Sequence, residues 1–400
     1  MLSKLKKLYH FSLSFLGAVI YNFPSKDLYV IGITGTKGKS TTAEILYFIL
    51  KSAGFKTAML SSANLKVGDI EEINPTSNTM PGRFFIQKFL YQAKKSGCKF
   101  AILEVTSQGV VQYRDRFIDF DCGIFLNIHP EHIEYHGSFE NYLNAKLKFF
   151  DNVATKSRKK EKLFITNIRD KESEKFASIA KGFGRIIKFN SLEIREKLFS
   201  GKEVFKNWFD SDFNIENASA ATSIALELGV SKEKIISAIS AFVGVSGRME
   251  FVTKNPFEVI VDYAHTPDSM QAVYSSLKKM RPNRKLICVF GSAGGGRDKW
   301  KRPEFGKIAS DYCDEIILTN EDPYDENPEE ILNEISKGIY NHKKYQKIID
   351  RGEAIKIAIS LAKSQDVVVI TGKGSERSIR VAKGKKISWS DKEAVQKLIR

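Results

Sequence analysis

Gly35-Thr-Lys-Gly-Lys-Ser-Thr41 packs small residues, two lysines and three hydroxyls into one short turn. It follows the apolar run 28–33 and precedes the segment 43–50, which reads as a helix. A buried strand, a glycine-rich turn and a helix start aim backbone N–H groups and the positive helix end at one point, which is how chains cradle phosphate. Gly35, Thr36, Lys37, Gly38, Lys39, Ser40 and Thr41 therefore point to a nucleoside triphosphate. Lys39 would lie against its terminal phosphates and the Ser40 hydroxyl on the Mg2+ bridging them. The turn is tighter than the common G-x-x-x-x-G-K pattern, since only Thr36 and Lys37 separate Gly35 from Gly38.

Three further positions could join a metal–nucleotide centre. Glu104 ends the apolar run 100–104, where carboxylates of parallel sheets face the ligand crevice, so it is a direct or indirect Mg2+ ligand. His132 and His136 follow a strand-like run ending at Asn127, and either could hold a second metal. Lys146, by residue type alone, is one more surface lysine.

The elements that must position these groups alternate. Runs 100–104, 122–127 and 162–167 read as strands and 217–228 as a helix, the pattern of a mostly parallel sheet flanked by helices. The alternation restarts after Gly247, with strands at 257–262, 285–290, 315–319 and 367–371 and helices at 267–280 and 303–313. This gives an α/β chain divided into a short N-terminal amphipathic segment (1–27), a central domain (28–246) and a second α/β domain (247–400).

Four hundred residues with 42% hydrophobic content suffice for such domains. The net charge of +16 is spread along the chain, and no nucleic-acid-binding motif accompanies it, so nucleic acid is not an expected partner. Cys98, Cys122, Cys288 and Cys313 lack zinc or redox spacing and read as buried thiols of a reducing, cytoplasmic compartment. Residues 1–27 pair a lysine cluster with an apolar run too short to span a bilayer and without a cleavage site. The favoured reading is a helix whose apolar face packs on the catalytic body. A weak peripheral hold on an anionic membrane is the second reading.

Beyond the phosphate loop the chain carries Asn78-Thr-Met-Pro-Gly82, Glu104-Val-Thr-Ser107, Gln112-Tyr-Arg114, His132-Ile-Glu-Tyr-His-Gly137 and Ala145-Lys146. It continues with Phe213-Asn-Ile-Glu-Asn217, Gly247-Arg-Met-Glu250, Asp262-Tyr-Ala-His-Thr-Pro267, Gly296-Arg-Asp-Lys299, Asn320-Glu-Asp-Pro323 and Gly372-Lys-Gly-Ser-Glu376. Over residues 28–400 these blocks resemble the Mur ligases, ATP-dependent amide-forming enzymes of peptidoglycan precursor synthesis, most closely their UDP-N-acetylmuramoyl-tripeptide synthetase branch.

The resemblance implies a central P-loop ATPase-like domain and a C-terminal Rossmann-like domain that binds the incoming amino acid. It makes ATP and Mg2+ the cofactors, with Ser40 and Glu104 on one Mg2+ and His132 and Lys146 supporting a second. Lys146 would be carbamylated, which turns an amine into a hard oxygen donor. Asn217 would contact the adenine, Asp262 the ribose and Arg248 the phosphates, with His265 also at the nucleotide. The implied catalytic set is Lys39, Glu104, His132, Lys146 and Arg248. Thr79, Thr106, Gln112 and Arg114 would hold the UDP-N-acetylmuramoyl-peptide. Arg297, Asn320, Asp322, Gly372 and Glu376 would line the amino-acid pocket, Arg297 pairing with the α-carboxylate and Asp322 and Glu376 favouring an amine-bearing side chain by opposite charge. In the implied reaction a peptide carboxylate takes the γ-phosphoryl group, and the amine then displaces phosphate. The chain would act as a monomer.

Some positions depart from that family's pattern. Residues 1–27 stand where the tripeptide synthetases carry a uridine-binding domain, Ser375 replaces a histidine, and Gln108 follows Thr106-Ser107 in place of another. Tyr324 follows Asp322-Pro323 where members using meso-diaminopimelate have an arginine, so lysine-like diamino acids are expected to compete well here. Two alternatives differ in class: a folylpolyglutamate synthase-like ligase, and a non-catalytic ATP-binding scaffold. Retention of Lys39, Glu104, His132 and Lys146 argues against the scaffold.

Overall fold

A computed structural model of the chain describes all residues except 1, 75, 77, 200–206, 297–298, 341–343 and 400. It divides into two units, Met1–Phe209 with Phe213–Phe242, and Asp210–Asp212 with Val243–Arg400.

In the first unit, helix α1 (Leu2–Ile20) leads into β1 (Tyr29–Thr34), α2 (Lys39–Ser52), β2 (Thr57–Leu60), β3 (Asn64–Val67) and β4 (Ile70–Ile73). There follow α3 (Arg83–Lys95), β5 (Phe100–Val105), α4 (Ser107–Val111), β6 (Cys122–Phe125), α5 (Ile133–His136), α6 (Phe139–Lys156) and β7 (Leu163–Asn167). The unit closes with α7 (Ser173–Ala180), β8 (Arg185–Phe189), α8 (Ser191–Phe199), α9 (Asp212–Glu227) and α10 (Lys232–Ala241). The eight-stranded sheet runs β4-β3-β2-β5-β1-β6-β7-β8. It is parallel from β2 to β8, with β3 and β4 added antiparallel at one edge. Strands covered on both faces should be apolar throughout rather than alternating, and β5 and β6 are buried at every position. β1 lies at the centre, and Gly32 is what lets α6 close on it. A Cβ there would sit 2.4 Å from the Phe149 ring and 2.8 Å from Phe120. Around that contact Phe120, Phe149, Phe150, Phe164 and Phe176 form the aromatic part of the core.

The second unit holds β9 (Glu250–Thr253), β10 (Glu258–Asp262), α11 (Pro267–Met280), β11 (Leu286–Phe290), α12 (Lys301–Tyr312), β12 (Glu315–Thr319) and α13 (Pro328–Ser336). It ends with β13 (Tyr345–Ile348), α14 (Arg351–Leu361), β14 (Val367–Thr371), β15 (Ser378–Arg380), β16 (Lys386–Ser388) and α15 (Asp391–Leu398). Its sheet runs β13-β12-β11-β14-β10-β9, parallel except for β9, and β15 and β16 form a separate hairpin. α11 starts on a Thr266/Ser269 capping box with Pro267 in its first turn, which satisfies helix-end N–H groups and pre-sets the first φ. Both units thus have the α/β character and mostly parallel sheets expected from the alternation.

Two expectations are corrected. Cys288 of β11 and Cys313 after α12 form a disulfide, leaving Cys98 and Cys122 as buried free thiols. The two positions are 25 apart in sequence but their Cα atoms are 6.1 Å apart, because parallel β11 and β12 flank the intervening helix. Most of the apolar face of α1 does not pack on the body, although Phe11 and Phe15 lie ring-to-ring against Tyr113 and Phe117. The small residues Ser14, Gly17 and Ala18 are buried, while Leu5, Leu8, Phe15, Leu16, Val19 and Ile20 are exposed. Among the described residues no helix is long and apolar enough to cross a membrane.

Candidate active site

The phosphate loop leaves the buried end of β1 and closes on the N-terminus of α2. Gly38 caps α2 at φ 80°, a left-handed conformation that excludes most side chains, and a Cβ there would lie 2.1 Å from Asn217 Oδ1. Asn217, on α9, also accepts a 3.4 Å hydrogen bond from Thr42 Oγ1, so this amide is packed over the turn itself. Asn127, just past β6, grips the loop from the other side. Its carbonyl accepts from Thr36 N at 2.9 Å and its Oδ1 from Lys37 N at 2.9 Å. Ser40 and Thr41 are buried at the start of α2.

Two lysines converge on this loop. Lys39 Nζ donates to Gly35 O and Thr36 O, both at 2.9 Å. Lys146, on α6 and 2% exposed, donates to the same Gly35 O at 2.7 Å and lies 4.8 Å from the centre of the Tyr142 ring. Burial, and then the charge of Lys39, holds the Lys146 amine well below its ordinary value of 10.5, with buried Glu131 opposing them. The site therefore favours a neutral amine at position 146.

His136 and Tyr142 complete this corner. Tyr142 Oη is 3.0 Å from Thr36 Oγ1, and its ring is 5.4 Å from that of His136. His136 Nε2 is 3.0 Å from Ser107 Oγ, and burial followed by the Lys146 charge lowers its pKa. His132 is more exposed, with φ 56° and its ring nitrogens 3.9 Å from Glu131 and Glu134 carboxylate oxygens. Glu131 and Tyr142 were missed by sequence reasoning. Tyr142 meets Lys146 as an i,i+4 neighbour on α6, whereas the link of Glu131 to Lys146 depends on the loop after β6 folding back beside α6.

Glu104 sits on β5 in register with Ile33 of β1, which brings its buried carboxylate level with the loop. Ser62 joins it to α2. The Ser62 N–H donates to Glu104 Oε1 at 3.0 Å, and the Ser62 hydroxyl is 3.0 Å from Ser40 Oγ. A serine hydroxyl and a buried carboxylate are hard oxygen donors that suit Mg2+, which keeps several waters and takes phosphate oxygens as further ligands. Among the described residues no group of three or more His, Cys, Asp or Glu side chains could hold a metal ion by itself. As an amine, Lys146 offers no anionic oxygen, and only its carbamate would match a second Mg2+.

Thr106, Gln112 and Arg114 gather around Met80, next to Thr79. Thr106 N donates to Met80 Sδ at 3.3 Å, and Arg114 donates to Met80 O and, at 2.8 Å, to Gln112 Oε1. Arg83 of α3, which sequence reasoning passed over, donates to Gln112 O at 2.7 Å. Burial and mutual repulsion lower the pKa of Arg83, and burial lowers that of Arg114. Arg114 Nε is buried without a partner. Two partly desolvated guanidinium groups, one from α3 and one from beyond α4, thus meet at Gln112.

In the second unit, Asp262 at the end of β10 accepts from Met249 N and Ala264 N, both at 2.7 Å, so its two oxygens fix the backbone on either side of Arg248 and Tyr263. Burial raises its pKa, with Arg248 opposing. The Arg248 guanidinium stacks 4.2 Å from the Tyr263 ring centre, and the His265 ring lies 4.4 Å from that same ring. Tyr263 Oη donates to Glu376 Oε1 at 3.2 Å. Arg248 and Glu376, expected at the phosphates and at the amino acid, thus share Tyr263.

The two carboxylates expected in the amino-acid pocket have an internal cation beside them. Buried Lys373 ion-pairs with both Asp322, at 2.8 Å, and Glu376, so it already offsets one of their two charges. Asp322 Oδ1 also accepts from Arg380 N at 2.8 Å. Beneath Gly372, whose φ is 110° and whose Cβ would meet Glu321 Oε2 at 2.6 Å, the Glu321 carboxyl is pushed up to about 7 by burial. Asn320 accepts on its backbone oxygen from Arg351 Nη1 at 3.0 Å. Tyr324 holds φ 55°, its N–H donates to Arg380 O at 3.1 Å, and the Arg380 guanidinium is 6.0 Å from its ring centre. Arg297 lies outside the described residues.

Comparison with known proteins gives a domain match in each half of the chain. Residues 33–232 match the Mur ligase middle domain and residues 247–374 the Mur ligase, glutamate ligase domain. A UDP-N-acetylmuramoyl-L-alanyl-D-glutamate–2,6-diaminopimelate ligase of Cytophaga hutchinsonii is 33% identical over 97% of this chain and 81% of its own length. One from Aquifex aeolicus is 36% identical over 94% and 78%. A solved structure of a ligase of that name superposes with a TM-score of 0.60 at 27% identity, covering 93% of this chain and 78% of the other. Folylpolyglutamate synthase of Mycobacterium tuberculosis gives a TM-score of 0.70 over 91% and 92% of the two chains, but at 16% identity this is likeness of fold alone. With both domain matches in sequence order and relatives above 30% identity over nearly its whole length, the chain belongs to the Mur ligase family.

Proposed function

We propose that the chain joins a diamino acid to the peptide carboxylate of a UDP-N-acetylmuramoyl-dipeptide, at the expense of ATP, through an acyl phosphate. The observation that carries this reading is the convergence of Lys39 and Lys146 on Gly35 O, beside Glu104 and Ser40. Phosphoryl transfer asks a protein mainly for position and charge. Lys39 neutralises the transferring group, and the loop N–H groups fix the phosphate chain. Mg2+, held by Ser40 and Glu104, would neutralise phosphate charge further, and carbamylated Lys146 with His132 would support a second ion. Arg83 and Arg114 hold an anionic part of the acyl substrate, with Thr79, Thr106 and Gln112 placing it.

On this reading residues 28–246 form the ATP-binding domain and 247–400 the domain that binds the amino acid, with Arg248, Asp262, His265 and Asn217 at the nucleotide. The relatives named above are 2,6-diaminopimelate ligases. Tyr324 removes the arginine that would pair with that amino acid's second carboxylate, and Arg380, held against Tyr324, supplies a guanidinium in its place. The test is ADP release in the presence of UDP-N-acetylmuramoyl-dipeptide and a panel of amino acids. Release that requires both substrates supports the reading. Equal release with a folate acceptor and glutamate, or none with any pair, sinks it.

A further inference from the structure

Helix α1 packs on the body through Ser14, Gly17 and Ala18 and through the rings of Phe11 and Phe15, which lie against Tyr113 and Phe117, and turns most of its other large apolar side chains outward. Ser14 and Ala18 are 2% and 0% exposed, whereas Leu5 and Leu8 are 55% and 61% exposed. At about 100° per residue, Leu5, Leu8, Leu16, Val19 and Ile20 fall within one arc of about 120° on the side opposite Ser14, shared with Tyr9 and Ser12. The small inner face is what allows close approach to α3. A Cβ at Gly17 would lie 3.6 Å from Arg83 O and Phe84 Cα. Isolated exposed leucines are ordinary, but five large exposed apolar side chains on one face of a surface helix are not.

Charge selects what covers that arc. Residues 1–26 contain Lys4, Lys6, Lys7 and Lys26 and no acidic residue; the first carboxylate in the chain is Asp27. Lys6 and Lys7 are exposed near the start of the helix, and Tyr9, also exposed, lies within the apolar arc, where its ring can sit at an interface. A second copy of this chain would bring lysines against lysines in a protein whose net charge is +16. An anionic surface with an apolar interior meets both requirements at once.

From this we infer that α1 docks the protein on the surface of an anionic phospholipid bilayer, its outer face in the acyl–headgroup boundary and its lysines among the headgroups. The inference is independent of which acyl substrate or amino acid the site takes. Ser14 Oγ donates to Tyr113 O at 2.6 Å, and Arg83 bridges His10 and Gln112, so the docking helix is fastened directly to the turn that carries Gln112 and Arg114.

The test is co-sedimentation of the full chain with vesicles of equal parts phosphatidylglycerol and phosphatidylcholine, beside vesicles of phosphatidylcholine alone. Binding is expected to the anionic vesicles and to weaken with added salt. Leu8→Glu with Leu16→Glu, at exposed positions, should lower the partition by at least about tenfold. Lys6→Gln with Lys7→Gln should lower it by about fivefold per lysine and flatten the salt dependence. Both variants should keep the wild-type unfolding transition and ADP-forming activity. Absence of vesicle binding, or binding that both double variants leave unchanged, overturns the proposal. So does a lipid-free dimer dissolved by the leucine substitutions, which would give the face to a second copy.

Discussion

Lys39 and Lys146 donate to one acceptor, the carbonyl oxygen of Gly35, at 2.9 and 2.7 Å. Two ammonium groups so close repel, and the buried one yields its proton first. Lys146 is that one, since burial and Lys39 both act against its charge. A neutral amine is a nucleophile toward CO2, which an ammonium is not, so the loop prepares the group that the carbamate chemistry needs.

Lys146→Met should therefore separate activity from stability. Turnover is expected to fall by about a hundredfold or more, as on removal of other groups that stabilise transferring charge. The sign for stability follows from the lowered pKa. In bicarbonate-free buffer the unfolded chain binds a proton at position 146 that the folded chain does not, so wild-type stability rises with pH toward the ordinary lysine value of 10.5. Methionine removes that slope. Lys146→Ala should regain part of its activity with added short carboxylates. Urea unfolding at several pH values, alongside ADP release, checks both halves, and full activity in the unrescued alanine variant rejects the carbamate.

The phosphate loop could be read from sequence because strand, turn and helix are contiguous there. What surrounds it could not. Lys146 reaches Gly35 across 111 positions, and Ser62 joins Ser40 to Glu104 through a strand order that places β5 between β1 and β2. Arg83 carries no motif and meets the Gln112 turn only because α3 packs beside it. Helix α1 misled for a different reason. Its large apolar residues suggested the buried face, but only Phe11 and Phe15 of them lie against rings of the body, and Ser14, Gly17 and Ala18 take the buried positions. Lys373 lay inside a recognised block, yet its pairing with Asp322 depends on β14 and the loop after β12 meeting in space.

Gly38 and Asn217 form a second testable pair. Gly38→Ala places a Cβ on Asn217 Oδ1 at a φ of 80°, so the substitution should cost about 1–3 kcal/mol and weaken nucleotide binding. Adding Asn217→Ala clears the steric part and leaves the backbone strain. The double variant should then be less destabilised than the sum of the singles, measured as a double-mutant cycle on the unfolding free energy. Simple additivity would mean that the amide does not press on the turn.

Glu321 predicts a pH effect of opposite sign to that of Lys146. Its carboxyl is raised by burial from 4.5 to about 7, so the folded chain keeps a proton that the unfolded chain has already released. Stability should fall as pH rises through that window and level off above it. Glu321→Gln retains the shape without the titration, and should exceed wild type by roughly 2–3 kcal/mol at alkaline pH while matching it near pH 4.5. An equal difference at both ends would assign the effect to packing.

Amino-acid choice turns on Arg380. Lys373 offsets one of the two negative charges of Asp322 and Glu376, so attraction of a cationic side chain is weaker than their charges alone suggest. The second carboxylate of diaminopimelate needs a cation, and Arg380, fixed at Tyr324 by a backbone hydrogen bond and at Asp322 by its own N–H, is placed to provide one. Wild type should then prefer meso-diaminopimelate to lysine in steady-state competition. Arg380→Ala should lower kcat/KM for diaminopimelate by about tenfold to a hundredfold and leave lysine within about twofold, since lysine has no distal carboxylate to lose. Wild-type preference for lysine would instead mean that Tyr324 governs the pocket and that Arg380 only braces it.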